Sequence, residues 1–155
     1  MDNLILIDGN SLLNRANYAT KLLPTKDGTP TNAVFGFIKL LLKIVGDIRP
    51  NYLIVAFDLK APTFRHKIYD QYKGTRKPMP EDLGVQLPIL KSLLKSMHIA
   101  ICEKEGYEAD DLIGTLSKKF PNIHSIIITG DRDSYQLIDE NTDVFITKTG
   151  VSELL

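Results

Sequence analysis

The chain alternates between short, unbroken apolar runs and longer stretches in which apolar residues recur at helical spacing. "NLILIDGN" opens with an apolar run that suits a strand buried on both faces, closed by a turn at Asp8-Gly9. A short helix is expected from about Ser11, then the turn-rich "PTKDGTPTN". Residues Ala33 to Ile48 are apolar nearly all round, which predicts a deeply packed helix that stops before Pro50. "YLIVAFD" reads as a second buried strand ending in Asp58, and "HIAICE" as a short third. A helix over Glu81 to Met97 carries Pro88, which predicts a kink or a late start. Tyr107 to Phe120 reads as a helix, "HSIIITGDRD" as a strand ending at Asp131 and Asp133, "SYQLI" as a helical turn and "TDVFIT" as a last strand. Strands alternating with helices imply a mostly parallel sheet covered on both faces, an α/β fold whose ligands collect beyond the carboxyl ends of the strands.

Composition narrows the picture only a little. At 155 residues with 43% hydrophobic content, the chain can bury one core and is too short for two, so a single domain is expected. Lys+Arg and Asp+Glu balance at 19 each, so any signal for a nucleic-acid or membrane partner must be local. The single Cys102 excludes an internal disulfide and reads as a small buried hydrophobe. The run Leu4 to Ile7 is far shorter than a signal or membrane segment. The expectation is a reduced, cytoplasmic, soluble protein without repeats or low-complexity tracts.

The acids are where the pattern becomes chemical. The first strand ends at Asp8, the second at Asp58, and "YEADD" opens the helix after the third with Glu108, Asp110 and Asp111; a later strand leads to Asp131 and Asp133. Any one of these has an ordinary role as a turn residue or helix cap. Four segments delivering carboxylates to one sheet edge is a different matter, because such a cluster cannot stay ionised without compensating cations. Hard oxygen donors suit Mg²⁺ or Mn²⁺, and no Cys or paired His set supports zinc. Two ions about 3.5–4 Å apart would fit this many acids and point to hydrolysis of phosphate esters. Asp139, Glu140 and Asp143 fall at the other end of a connection and read as solvated loop acids; His98 and His124 read as strand-boundary residues.

Between Lys60 and Pro80 the alternation breaks. "KAPTFRHKIYDQYKGTRKP" carries Lys60, Arg65, Lys67, Lys73, Arg76 and Lys77 against the single acid Asp70, with Phe64, Tyr69 and Tyr72 interleaved. Cations neutralise phosphates without reading sequence and aromatics stack on unpaired bases, a mixture suited to a single-stranded or frayed end. Leaving the sheet just after Asp58, the segment is expected to hang over the acids and contact substrate.

"LIDGN", "FDLKAPTFRH", "YKGTRKPMPEDL", "GYEADDLIGTL" and "TGDRDSYQL" occur in this order, and together they resemble the 5′ nuclease domain at the N-terminus of bacterial DNA polymerase I, in the flap endonuclease group. The likeness runs through essentially all of the chain. It implies a PIN-like (Rossmann-like) domain over residues 1–155, with a basic helical-arch insertion at about 60–80. It further implies a structure-specific 5′-3′ exonuclease and flap endonuclease that uses two divalent ions, Mg²⁺ or Mn²⁺, on DNA with a 5′ flap or frayed 5′ end, and on RNA primers paired to DNA. Such a protein works as a monomer, with a polymerase domain in the parent chain and no membrane partner, in the bacterial cytoplasm at the nucleoid. By the same resemblance Asp8, Asp58, Glu108 and Asp110 hold the first metal and Asp131 and Asp133 the second, with Asp110 between them and Asp111 alongside. Lys73 and Arg76 match arch cations that steer the scissile phosphate, Tyr72 an aromatic that stacks on the displaced base, and Arg65 and Lys77 add to the basic surface.

The family continues into a helical DNA-binding module, whereas this sequence stops at "TGVSELL", where Ser152 and Glu153 read as the cap and first turn of a further helix. A truncated chain is expected, with duplex affinity, second-metal occupancy and rate reduced. Two other readings compete. A DNA-binding fragment would hold flapped DNA without cutting it. A haloacid-dehalogenase-like phosphatase would need a second acid two residues after the first, where Asn10 stands. A nucleotide-binding Rossmann protein is disfavoured because no Gly-rich phosphate loop follows the first strand.

Overall fold

The computed structural model of the protein describes residues 2–19, 27–59 and 81–147. Its elements follow the apolar pattern closely: β1 (Asp2–Asp8), α1 (Gly9–Ala19), α2 (Asn32–Ile48), β2 (Tyr52–Ala56), α3 (Glu81–Gly84), α4 (Gln86–Ser96), β3 (Ala100–Cys102), α5 (Ala109–Lys119), β4 (Ile123–Thr129), a 3₁₀ helix (Arg132–Leu137) and β5 (Thr142–Ile146). Among the described residues the five strands form one sheet in the order β3-β2-β1-β4-β5, and every pairing is parallel. The order reverses direction at β1, whose neighbours β2 and β4 are reached by connections running to opposite sides. That reversal opens a crevice at the carboxyl ends of β1 and β4, where open parallel sheets bind ligands.

Successive strand residues point to opposite faces, so a sheet covered on both sides needs unbroken apolar runs. Ile5 and Ile7 of β1, Val55 of β2 and Ile126 and Ile128 of β4 pack beneath Leu12, Phe37, Leu41, Ile44, Leu90 and Leu94 of α1, α2 and α4. Leu4 and Leu6, Ala56, Ile127, Val144 and Ile146 face the other way, against Ala109 and Ile113 of α5. The strand registers bring Asp8 opposite Ala56, Ala56 opposite Cys102 and Thr129 opposite Ile146, so the strands end level along one edge.

Several local outcomes differ from the sequence reading. Helix α1 begins at Gly9 rather than Ser11, because the Asp8 carboxylate accepts the Ser11 N–H at 3.2 Å and so caps the helix from inside the strand. Helix α2 is not packed all round: Phe35 is 54% and Leu42 58% exposed, and its buried residues lie on one stripe. The expected helix over 81–97 is interrupted at Val85, and Pro88 falls in the first turn of α4, where a missing N–H leaves no hydrogen bond unmade. Cys102 is half-buried rather than buried, and burial together with the neighbouring Glu103 pushes its thiol pKa up. Asp139 is exposed but engaged, 2.5 Å from Lys118 Nζ, and Asp143 lies within β5 rather than in a loop, exposed and 2.8 Å from Nε2 of His124.

A buried polar knot fixes α1, α2 and the start of α4 to one another. Gln86 is fully buried, and its Oε1 accepts the N–H groups of Ala33 at 2.8 Å and Val34 at 3.1 Å, capping α2 from more than fifty residues away. Its Nε2 donates to Asn32 Oδ1 at 3.0 Å and to the Asp82 carbonyl at 3.0 Å, while Asn32 Nδ2 donates to Asn17 Oδ1 at 3.1 Å.

Candidate metal centre

Because all five described strands run the same way, whatever follows each of them emerges at the same edge. Asp8 is the last residue of β1, Asp58 stands two residues past β2, Glu108 opens α5 after β3, and Asp131 stands two residues past β4. Asp8 is 6% and Glu108 4% exposed, so two carboxylates are drawn into the protein. The Asp8 carboxyl is raised from 3.8 to about 7, chiefly by burial and then by the charge on Asp110, with a smaller push from Asp58; hydrogen bonds from the Ser11 N–H and the Thr129 hydroxyl oppose the rise. Three acids from β1, the β2 exit and α5 therefore lie in one electrostatic neighbourhood.

Each acid is held by specific partners. Asp58 Oδ1 accepts the Ala109 N–H at 2.6 Å, and the Asp58 N–H donates to Asn10 Oδ1 at 2.8 Å, which ties the β2 exit to both α5 and the β1 turn. Glu108 and Asp111 form a reciprocal capping box at the start of α5, with Asp111 Oδ2 accepting the Glu108 N–H at 3.0 Å. The Glu108 Oε1 atom is shut off from solvent. Asp131 caps the 3₁₀ helix by accepting the Asp133 N–H at 2.9 Å. Glu108, Asp110, Asp111 and Asp133 share the wall of a groove of about 720 Å³ between α5 and the 3₁₀ helix, which Lys118 and Lys119 also line.

The two sides of the crevice are clasped by hydroxyls. Thr129 Oγ1 donates to Asp8 Oδ2 at 3.0 Å and accepts the Asp131 N–H at 3.1 Å, while Ser11 Oγ accepts the Gly130 N–H at 2.7 Å. Two glycines permit this closeness. A Cβ on Gly9 would stand 2.4 Å from the Phe57 ring, and one on Gly130 would stand 2.8 Å from Ser11 Oγ and 3.2 Å from Arg15 Nη2. Asn10, Ser11, Arg15 and Thr129 are not among the candidate site residues that the sequence marks. For Thr129 there was a signal, a polar residue ending an apolar strand just before "GD"; nothing local marks the other three.

The donor set fits a hard divalent cation in kind, since every candidate is a carboxylate and the like-charge field at Asp8 is what such a cation relieves. As they stand, no three or more His, Cys, Asp or Glu among the described residues are gathered closely enough to hold an ion. Asp58, Asp111 and Asp131 each turn a carboxylate oxygen onto a backbone N–H. Asp8, Asp58 and Asp110 are brought together, Asp131 is joined to them through Thr129, and Asp133 faces the groove with Glu108, Asp110 and Asp111. Arg65, Tyr72, Lys73, Arg76 and Lys77 lie outside the described residues, as do Ser152 and Glu153.

A parallel α/β domain with carboxylates gathered at its switch point is the class of protein that this fold and site define. The chain belongs to the family of the 5′-3′ exonuclease N-terminal resolvase-like domain, whose model matches residues 3–154. It is 46% identical over 148 residues to DNA polymerase I of Caldicellulosiruptor bescii, an overlap that takes in 94% of this chain and 17% of the polymerase. It is 42% identical over 153 residues to DNA polymerase I of Bacillus subtilis, covering 97% of this chain and 17% of that one. A 5′-3′ exonuclease of Aquifex aeolicus is 42% identical over 143 residues, 91% of this chain and 50% of the relative. The chain thus spans about a sixth of the polymerases and half of the exonuclease.

Among solved structures, a bacteriophage T5 flap endonuclease complex with DNA and metal ions superposes with a TM-score of 0.73 at 21% identity, covering 98% of this chain and 57% of the other. The T5 5′-exonuclease with bound zinc gives 0.72 at 22% identity, over 98% of this chain and 58% of the other. At these identities the likeness establishes the fold, that of PIN-like 5′ nucleases.

Proposed function

We propose that this chain is the catalytic part of a metal-dependent, structure-specific 5′-3′ nuclease that hydrolyses phosphodiester bonds in DNA with a 5′ flap or frayed 5′ end. The observation that carries the reading is the convergence on Asp8 of charge from Asp110 and Asp58 at the switch-point edge. Structural acids at turns and caps have no reason to crowd one another, and the repulsion is relieved only by protonation or a cation. Family membership supports the same conclusion.

In this reading Asp8, Asp58, Glu108 and Asp110 hold one divalent cation, Mg²⁺ or Mn²⁺. Asp131 and Asp133 hold a second, with Asp110 between the two and Asp111 alongside. Such a pair of ions, when bound, lowers the pKa of water and stabilises the leaving oxygen of a phosphodiester. The protein's own groups prepare the site. The Ser11 N–H and Thr129 hydroxyl fix both oxygens of Asp8, and Ala109 and Asn10 fix Asp58 and its backbone. Lys73 and Arg76 serve as catalytic cations that draw in the scissile phosphate. Arg65 and Lys77 neutralise neighbouring phosphates, and Tyr72 stacks on an unpaired base. An RNA primer paired to DNA is a further substrate. The work belongs to replication and repair in the bacterial cytoplasm, at the nucleoid, beside a polymerase domain like that of the relatives.

The test is cleavage of a labelled 5′-flap DNA by the chain with Mg²⁺, with Mn²⁺ and with chelator, beside Asp110→Asn. Metal-dependent cutting that falls to background in the folded variant is the expected result. Cutting that survives chelation, or that is unchanged in the variant, would refute the assignment. Metal-dependent retention of the flapped DNA without cutting would turn the reading into that of a binding module.

A further inference from the structure

The acids fall into two groups carried by different parts of the chain: Asp8, Asp58, Glu108 and Asp110 by β1, the β2 exit and the start of α5, and Asp131 and Asp133 by the β4 exit and the 3₁₀ helix. One side chain bridges them. Thr129 is fully buried at the end of β4, and its hydroxyl makes two hydrogen bonds of fixed direction. The Asp131 N–H can only donate, so it takes a lone pair of the Thr129 oxygen, and the single hydroxyl proton is left for Asp8 Oδ2. The Thr129 carbonyl accepts the Thr147 N–H at 3.0 Å, which ties the backbone beneath that hydroxyl to the residue just past β5. Beside it, Ser11 Oγ holds the Gly130 N–H, so the loop that carries Asp131 is fastened to the β1–α1 turn at two adjacent points.

We propose that Thr129 is a positioning residue that sets the Asp8 carboxylate and the Asp131 backbone at a fixed separation, so that the two groups of acids form one divalent-cation centre. This rests on the metal reading given above and adds to it a residue that touches neither substrate nor, by itself, an ion. A hydroxyl donating to Oδ2 of Asp8, opposite the Ser11 N–H on Oδ1, fixes the plane of that carboxylate. The same hydroxyl, by anchoring the Asp131 N–H, fixes where the Asp131 side chain departs from the backbone. Groups of this kind around metal ligands change metal affinity or activity by about 10–100-fold when removed.

The test compares Thr129→Val, which keeps the shape and removes the hydroxyl, with Thr129→Ser, which keeps the hydroxyl. Mn²⁺ binding is followed by the loss of the free-ion magnetic resonance signal, and flap cleavage is followed as kcat and KM over a range of Mn²⁺ concentrations. T129V is expected to keep the circular dichroism of the parent chain, to bind Mn²⁺ about 10–100-fold more weakly, and to lose kcat while KM for DNA stays within about threefold. T129S is expected to recover most of both. T129V that binds Mn²⁺ and turns over like the parent chain would overturn the proposal. So would impairment of T129S as large as that of T129V, since keeping the hydroxyl would then rescue nothing. Should T129V not fold, Thr129→Ala against T129S carries the same comparison. A parent chain that binds no Mn²⁺ would overturn the metal reading and this inference together, whereas binding by the parent chain matched in T129V overturns this inference alone.

Discussion

Replacing Asp8 by asparagine is expected to stabilise the metal-free protein near neutral and alkaline pH, although Asp8 stands at the centre of the proposed site. Its carboxyl is raised from 3.8 to about 7 in the folded state. Between those values the folded protein binds a proton that the unfolded chain has released, so stability present below about 3.8 is lost as pH rises through about 7. A rise of that size corresponds to about 4 kcal/mol of folding free energy lost by about pH 8. Asparagine approximates the neutral acid: its Oδ1 keeps the Ser11 N–H, and its amide replaces an oxygen that accepted the Thr129 hydroxyl. Losing that bond costs about 1–2 kcal/mol, so D8N should be about 2–3 kcal/mol more stable than the parent chain at about pH 8. The two curves should cross at about pH 5, with D8N the less stable by about 1 kcal/mol at about pH 4, where only the lost Thr129 bond still separates them. Urea unfolding in chelator across this range measures both curves. A D8N protein that is the less stable at alkaline pH, or whose stability falls in parallel with that of the parent chain, would refute the account of Asp8. In a second arm, Mg²⁺ should raise the alkaline stability of the parent chain more than that of D8N, because only the parent chain carries the repulsion that a cation relieves.

Two further substitutions probe how the site is held. Gly9→Ala places a methyl 2.4 Å from the Phe57 ring, and should destabilise by about 1–3 kcal/mol in urea unfolding, with Phe57→Leu restoring part of the loss; an unchanged midpoint would mean that the ring moves freely. Gln86→Leu leaves the Ala33 and Val34 N–H groups and Asn32 Oδ1 without their Gln86 contacts, and should cost about 2–4 kcal/mol while leaving Mn²⁺ affinity within about twofold. A comparable loss of Mn²⁺ affinity would show that the knot acts on the acid edge as well as on the fold.

Much of this protein was legible in the chain itself. The unbroken runs at Leu4 to Ile7 and Ile126 to Ile128 require burial on both faces, and that requirement already implies helices on each side and parallel strands between them. Once the strands are parallel, residues following them must share an edge, so Asp8, Asp58, Glu108 and Asp131 could be grouped by topology. Periodicity gave less at α2, where Phe35 and Leu42 fit a buried pattern yet face outward, because the sheet offers one helix only one stripe of contact.

What tertiary structure decided is who holds each group. Thr129 reaches Asp8 across 121 positions and Gly130 reaches Ser11 across 119, and Gln86 caps a helix 53 positions earlier. Such partners leave no trace in local pattern, since a buried N–H or carboxylate is satisfied by whichever polar group the packing brings within hydrogen-bonding distance. Composition and periodicity determine what must be buried and which ends of strands coincide. The register of β1 against β4, which only the assembled sheet sets, determines that a threonine hydroxyl stands between the two sets of acids.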